Sequence, residues 1–118
     1  MTNHIDTTIN TKKVNTTRES VEKIDLGTVD NKGRRIGALI VRETETYEVM
    51  TDAEIKSSFF RSHVKPGVWF VYRIQTTRNG SSFGASQPTH YFASVEERDV
   101  AIHAHLARSM KAAAKKAA

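Results

Sequence analysis

The dipeptide Asn79-Gly80 constrains this chain more than any other pair of residues in it. Both residues tolerate the positive φ that a two-residue hairpin turn requires, so the segments on either side are expected to run antiparallel. Ahead of the turn, Trp69 to Thr77 alternates. Trp69, Val71, Arg73 and Gln75 share one face and Phe70, Tyr72 and Ile74 the other, which is the period of a half-buried strand. Ser81 onward pairs back against it, and Thr89 to Ala93, after Pro88, adds a further strand. Ser94-Val95-Glu96-Glu97 then has the pattern of a capping box, with the serine hydroxyl accepting from the Glu97 amide. A long helix follows.

Upstream, Asp30-Asn31-Lys32-Gly33 is a turn cluster. Ile36 to Val41 and Thr44 to Met50 are β-branched stretches that fit two strands with a bend at Glu43-Thr44-Glu45, or one long strand. Thr51-Asp52-Ala53-Glu54 repeats the capping-box pattern, and Ile55 with Phe59 gives a short middle helix a buried side. Lys65-Pro66-Gly67 ends that stretch. The first twenty or so residues are rich in Thr and Asn, without aromatics or a sustained apolar period. The expected domain map is therefore a disordered arm over 1–24, one α+β domain over 25–110, and a Lys/Ala-rich helical tail over 111–118. The expected architecture is a small antiparallel sheet of four to five strands with the long helix packed on one face.

On the long helix, Val95, Ile102, Leu106 and Met110 form the stripe expected to lie on the sheet. Ala104, Arg108, Lys111 and Lys115 step along another ridge. Formal net charge is +5, and its placement matters more than its size. Bases and acids cancel between residues 25 and 100, whereas residues 101–118 hold Arg108, Lys111, Lys115 and Lys116 and no acid. Such a concentrated patch suits an acidic, extended partner such as nucleic acid. The same cations also complement the negative end of a helix dipole, as Glu96 and Glu97 complement its positive end, so a solvated helix end accounts for them as well.

The 118 residues contain no cysteine, which removes disulfides, thiolate metal sites and a cysteine nucleophile together and fits a reducing compartment. No apolar run approaches the ~20 residues of a membrane span, and MTNHIDTTINTKKVN lacks the apolar centre of a secretory signal. A cytoplasmic protein without a membrane partner is expected. His103 and His105 are two apart on a helix, not three or four, and neither a paired-Cys motif nor HExxH occurs, so no metal is expected. Asn79-Gly80-Ser81-Ser82-Phe83-Gly84 belongs to a hairpin rather than to a strand-to-helix phosphate loop. Glu43, Glu45 and Glu48 read as exposed strand charges that blunt a sheet edge. No catalytic residues and no cofactor are expected, and the chain reads as a non-enzyme.

The face bearing Trp69, Arg73 and Gln75, with Arg78 at the hairpin tip, sets an aromatic, a forked cation and an amide in a row. Arg and Gln can each bind a purine bidentately, and an aromatic can stack on an unpaired base. Trp69-Phe-Val-Tyr-Arg73-Ile, the Asn79-Gly80 hairpin, and Tyr91-Phe92-Ala93-Ser94-Val95-Glu96-Glu97 leading into an Ala-containing helix resemble the sheet-plus-helix DNA-binding modules of AP2 and integrase-arm type. The likeness runs from Gly67 to about Lys111. The Ser81 to Pro88 segment and the upstream strands are additions to that pattern, and Asp99 stands where a small residue is usual. The resemblance implies a sheet whose side chains enter the major groove while a helix braces its back. It carries a base-reading role onto Trp69, Arg73 and Gln75, with Arg78 beside them. Arg108, Lys111, Lys115 and Lys116 would meet phosphates. The expected partner is nucleic acid, DNA ahead of RNA. The rival expectation is a protein-interaction or structural module, bound to a larger assembly or to a second copy, with Phe59, Phe60 and Phe83 as its apolar contacts.

Overall fold

The computed structural model describes residues 3–57, 60–82 and 88–117, of the last two the backbone alone. The elements are β1 (Thr11–Val29), β2 (Arg35–Val49), α1 (Asp52–Ser57), β3 (Gly67–Arg78), β4 (Ser81–Ser82), β5 (His90–Phe92) and α2 (Val95–Ala117). They form an α+β fold around one antiparallel sheet in the order β1-β2-β3-β4, with β5 also paired to β3. The sheet curls into a half-barrel.

Local sequence explains most of the punctuation. Asn79 and Gly80 have φ of 49° and 82°, and Arg78 pairs with Ser81 across them, as a two-residue turn of this kind requires. Asp30 closes the β1–β2 turn by accepting at Oδ1 from the amides of Lys32 and Arg34, both at 2.9 Å. At α1, the Thr51 amide donates to Glu54 Oε1 and the Glu54 amide to Thr51 Oγ1, a complete capping box. At α2, Ser94 Oγ accepts from the Glu97 amide at 3.1 Å. The Phe59 partner expected for Ile55, and Phe83, expected as an apolar contact, lie outside the described residues.

The expected arm is where the structure departs furthest from the sequence reading. Residues 11–29 are one 19-residue strand paired along β2 from Thr11 opposite Val49 to Val29 opposite Arg35. Its order comes from charge and backbone, because most of its side chains are exposed. Lys13 pairs with Glu45, Arg18 with Glu43, and Glu22 with Arg42. Glu43 and Glu45 are consequently buried in a strand flanked on both sides, which corrects their expected role as exposed edge charges. β2 itself is one strand through Glu43-Thr44-Glu45. Near the end of the pairing, Gly37 allows close approach of the neighbouring chain. A Cβ there would meet Ile24 O at 2.5 Å and Thr77 Oγ1 at 2.6 Å.

Alternation along β3 splits the core in two. Tyr72 and Ile74 join Ala38, Ile40 and Ile102 beneath α2. Trp69 and Val71 join Tyr47 and Val64 on the opposite face, where Tyr91 packs against them. That second face is closed by the segments before β1 and before β3. Ile5 bridges to Val64 and Thr11 to Ser62, and the Asp6 amide donates to the His63 carbonyl at 2.8 Å. Sheet burial by α2 on one face is as expected, but these irregular segments add a cover on the other. Of the expected α2 stripe, Ile102 is buried and Leu106 packs beside it, whereas Met110 is 47% exposed. At that level Ser109, Ala112 and Ala113 face Leu26, Val29 and Ile36 instead, across a cleft of about 450 Å³.

Candidate nucleic-acid interface

The two groups of residues expected to touch a nucleic acid sit on different parts of the molecule and in different electrostatic states. Trp69 is on the face away from α2, as its alternation predicts, but it is only 6% exposed. His4 meets it edge-on, and its indole N–H donates to the Lys65 carbonyl at 2.8 Å. The indole therefore presents no ring face on which a base can stack. This corrects the stacking role inferred from sequence, and the covering groups come from segments that carried no apolar signal.

Arg73 is half-buried on the same face, and its guanidinium is engaged. Nη2 donates to Glu43 Oε1 at 2.8 Å, while Arg18 Nε lies 3.5 Å from the other Glu43 oxygen. One buried carboxylate thus holds two cations across three strands. Bidentate reading of a guanine would have to break this bond first. Gln75 follows on the same face and is half-buried. Arg78, at the hairpin end of β3, lies 3.7 Å from Asp30 and lines the cleft beside Ser109 and Ala112. The four residues share a strand, but the sheet neutralises Arg73 with its own acid and hides Trp69.

The ridge on α2 is different. Arg108, Lys111 and Lys115 are all exposed, and none makes an ion pair among the described residues. The side chain of Lys116 lies outside the described residues. Helical rise places Arg108 to Lys115 along about 10 Å of the axis. Earlier on α2 the charges are spent on the sheet. Arg98 reaches Glu19 and Asp99, and Asp99 also faces Arg42. The helix therefore begins in a network of ion pairs and ends in cations that make none among the described residues.

Sequence reasoning missed one cluster altogether. Tyr72 on β3 stacks on His90 of β5 with ring centroids 4.8 Å apart, and its hydroxyl is 3.2 Å from His105 Nδ1 on α2. The two histidine rings are 5.9 Å apart. Burial, and then the positive charge of Arg108, holds both imidazoles below their ordinary pKa of 6.5. His90 and His105 were legible as histidines but not as neighbours, because only the packing of α2 on β3 and β5 brings them together. Among the described residues, no three His, Asp or Glu side chains are grouped to hold a metal ion. His63 is elsewhere, with Nδ1 2.6 Å from the Ile9 carbonyl.

No family model, curated protein or solved structure matches the chain. Among the described residues, no helix is long and apolar enough to cross a membrane.

Proposed function

We propose that this is a small cytoplasmic nucleic-acid-binding protein, not an enzyme, that grips the phosphate backbone through the last turns of α2. DNA is the favoured partner. The observation that carries this reading is the contrast between the two ends of the molecule's charge. Arg18, Arg42, Arg73 and Arg98 are paired with acids, whereas Arg108, Lys111 and Lys115 stand exposed without ion pairs. Phosphate contacts position a protein without reading sequence. The binding is accordingly sequence-tolerant, and the AP2-like base reading by Trp69 and Arg73 has no support in this geometry.

The test is fluorescence anisotropy of labelled duplex and single-stranded DNA over a salt series. Three contacts predict that log K falls with log salt at a slope of about -2.7 for duplex or about -2.1 for a single strand. Replacing Arg108, Lys111 and Lys115 together by Ala should remove most of the affinity, and Arg73→Ala should leave it unchanged. Salt-independent binding, or full affinity in the triple variant, would refute the proposal. Absence of binding even at low salt would favour the interaction-module reading instead, for which Phe60, 89% exposed, is the residue to mutate first.

A further inference from the structure

We propose that Tyr72, His90, His105 and Arg108 form a proton-linked site for a single phosphate group where α2 crosses β3 and β5. This extends the phosphate-binding reading above through Arg108, yet it requires only that side chain of the ridge and no nucleic acid.

The geometry supplies the donors. The Tyr72 hydroxyl is 3.2 Å from His105 Nδ1, and in the tautomer that carries its proton on Nε2 a neutral His105 accepts from the tyrosine and directs its own N–H away from it. His90 stacks on the Tyr72 ring, at 13° to it, and is edge-on to His105 at 5.9 Å. Arg108 is one turn beyond His105 on the same helix and close enough to depress both imidazoles. Protonation of His105 turns Nδ1 into a donor toward the tyrosine oxygen, which releases the hydroxyl hydrogen to donate elsewhere. Two imidazoliums and a guanidinium repel one another unless an anion lies between them. An oxyanion with several acceptor oxygens satisfies all of them at once.

The surrounding charges favour an anion over a cation. On α2, the nearest acid with a described role, Asp99, is held by Arg98 and Arg42 at the start of the helix. On β1, Glu19 is engaged by Thr44 and Arg98, and Glu22 by Arg42. β3 contributes Tyr72 and β5 contributes His90. His4, in the segment before β1, is a further imidazole coupled to His90. Among the described residues, no carboxylate figures in the shift of either histidine. A metal cation would meet Arg108, and a neutral ligand would leave the proton charges unbalanced.

Sulfate is the first probe, because it keeps both charges across the range in which histidine titrates. Histidine ring signals of the full chain should be followed by NMR from about pH 5.5 to 7.5, in sodium sulfate and in sodium chloride of equal ionic strength. Sulfate, and not chloride, should raise the titration midpoints of His90 and His105, and its affinity should fall at least tenfold over that range. His105→Gln and Arg108→Ala should each abolish the sulfate-specific shift of His90. Equal responses to sulfate and chloride would overturn the site, whatever the variants do. A labelled duplex then separates the sources of phosphate. Displacement of sulfate from the histidines assigns the site to a backbone phosphate, and inorganic phosphate binding there without such displacement assigns it to free phosphate. Sulfate binding without any DNA binding keeps this site and removes the nucleic-acid reading. DNA binding through the ridge with silent histidines does the reverse.

Discussion

Arg98 is 2% exposed, and a guanidinium in that position must be matched by acids or it would not be there. Nη1 lies 3.0 Å from Glu19 Oε2, close enough for an ion pair but without hydrogen-bond alignment, and Nε donates to Asp99 at 3.2 Å. Glu19 is held below the ordinary carboxylate range by the Thr44 hydroxyl first and by Arg98 second. A single side chain thus ties the start of α2 to the middle of β1. Arg98→Ala should cost about 1.5–3 kcal/mol, the range for hydrogen bonds to charged groups, since Glu19 remains a third exposed and can take up water. Urea unfolding of the variant measures it. A cost below ~0.5 kcal/mol would mean that the network is a surface ornament and that β1 is held by its ladder alone. The same logic bears on Arg73. Its substitution by Ala removes one partner of buried Glu43 and leaves Arg18 as the other, so it should lower stability without changing affinity for DNA.

At the scale of elements, the local signals were legible and the long-range ones were not. Asn79-Gly80, the box at Thr51 and the serine cap at Ser94 each act within a few residues, and the structure has all three. β1 was illegible because nothing apolar repeats along it. Its order rests on Lys13, Arg18 and Glu22 meeting acids or bases of β2, and three register shifts spread those partners over different offsets. No single alignment of the two segments shows the complementarity. Trp69 was misread for a related reason, because the segments that bury it pack through irregular backbone rather than through a periodic face. The α2 ridge was read directly, since helical spacing alone exposes it, but the Tyr72–His90–His105 cluster depends on three elements meeting. Gly37 tests the β1 assignment. Gly37→Ala would drive a methyl into the Ile24 carbonyl and Thr77 Oγ1, and should cost about 1–3 kcal/mol as overpacking does. Amide exchange should accelerate most at Ile24–Leu26. Unprotected amides throughout residues 11–29 of the unmodified protein would instead restore the disordered arm.

The whole molecule measures 55 × 28 × 23 Å with a radius of gyration of 17.3 Å, against about 13 Å for a compact domain of its length. The long β1–β2 pair accounts for the elongation and leaves two small cores instead of one. A molecule with so little buried apolar reserve should show its titrations plainly in its melting temperature. His4, His90 and His105 all have pKa values lowered by burial, so the unfolded chain takes up protons near pH 6.5 that the folded chain refuses. Their contribution to stability is therefore complete above about pH 6.5 and is lost as pH falls toward the folded values. A second loss follows below about pH 4. There the unfolded carboxyls protonate while Glu19, Asp25, Asp30 and Glu54 are held low, Glu54 at about 2 by the hydrogen bond from Lys12. At the alkaline end the sign reverses. Burial raises Tyr47 and Tyr72 above their usual 10.0, so the stability they contribute is lost as pH climbs past that value. Thermal unfolding followed by circular dichroism should consequently give a plateau between about pH 7 and 10, with a step down as pH falls below about 6.5. His90→Gln with His105→Gln should flatten that step even if the plateau itself drops. Sulfate should flatten it in the unmodified protein, because an anion that accepts hydrogen bonds from the two protonated histidines in the folded state cancels the advantage of unfolding. A melting temperature that rises from pH 7 to pH 5 in chloride would show that these imidazoles are not desolvated, and the proton-linked phosphate site would lose its basis.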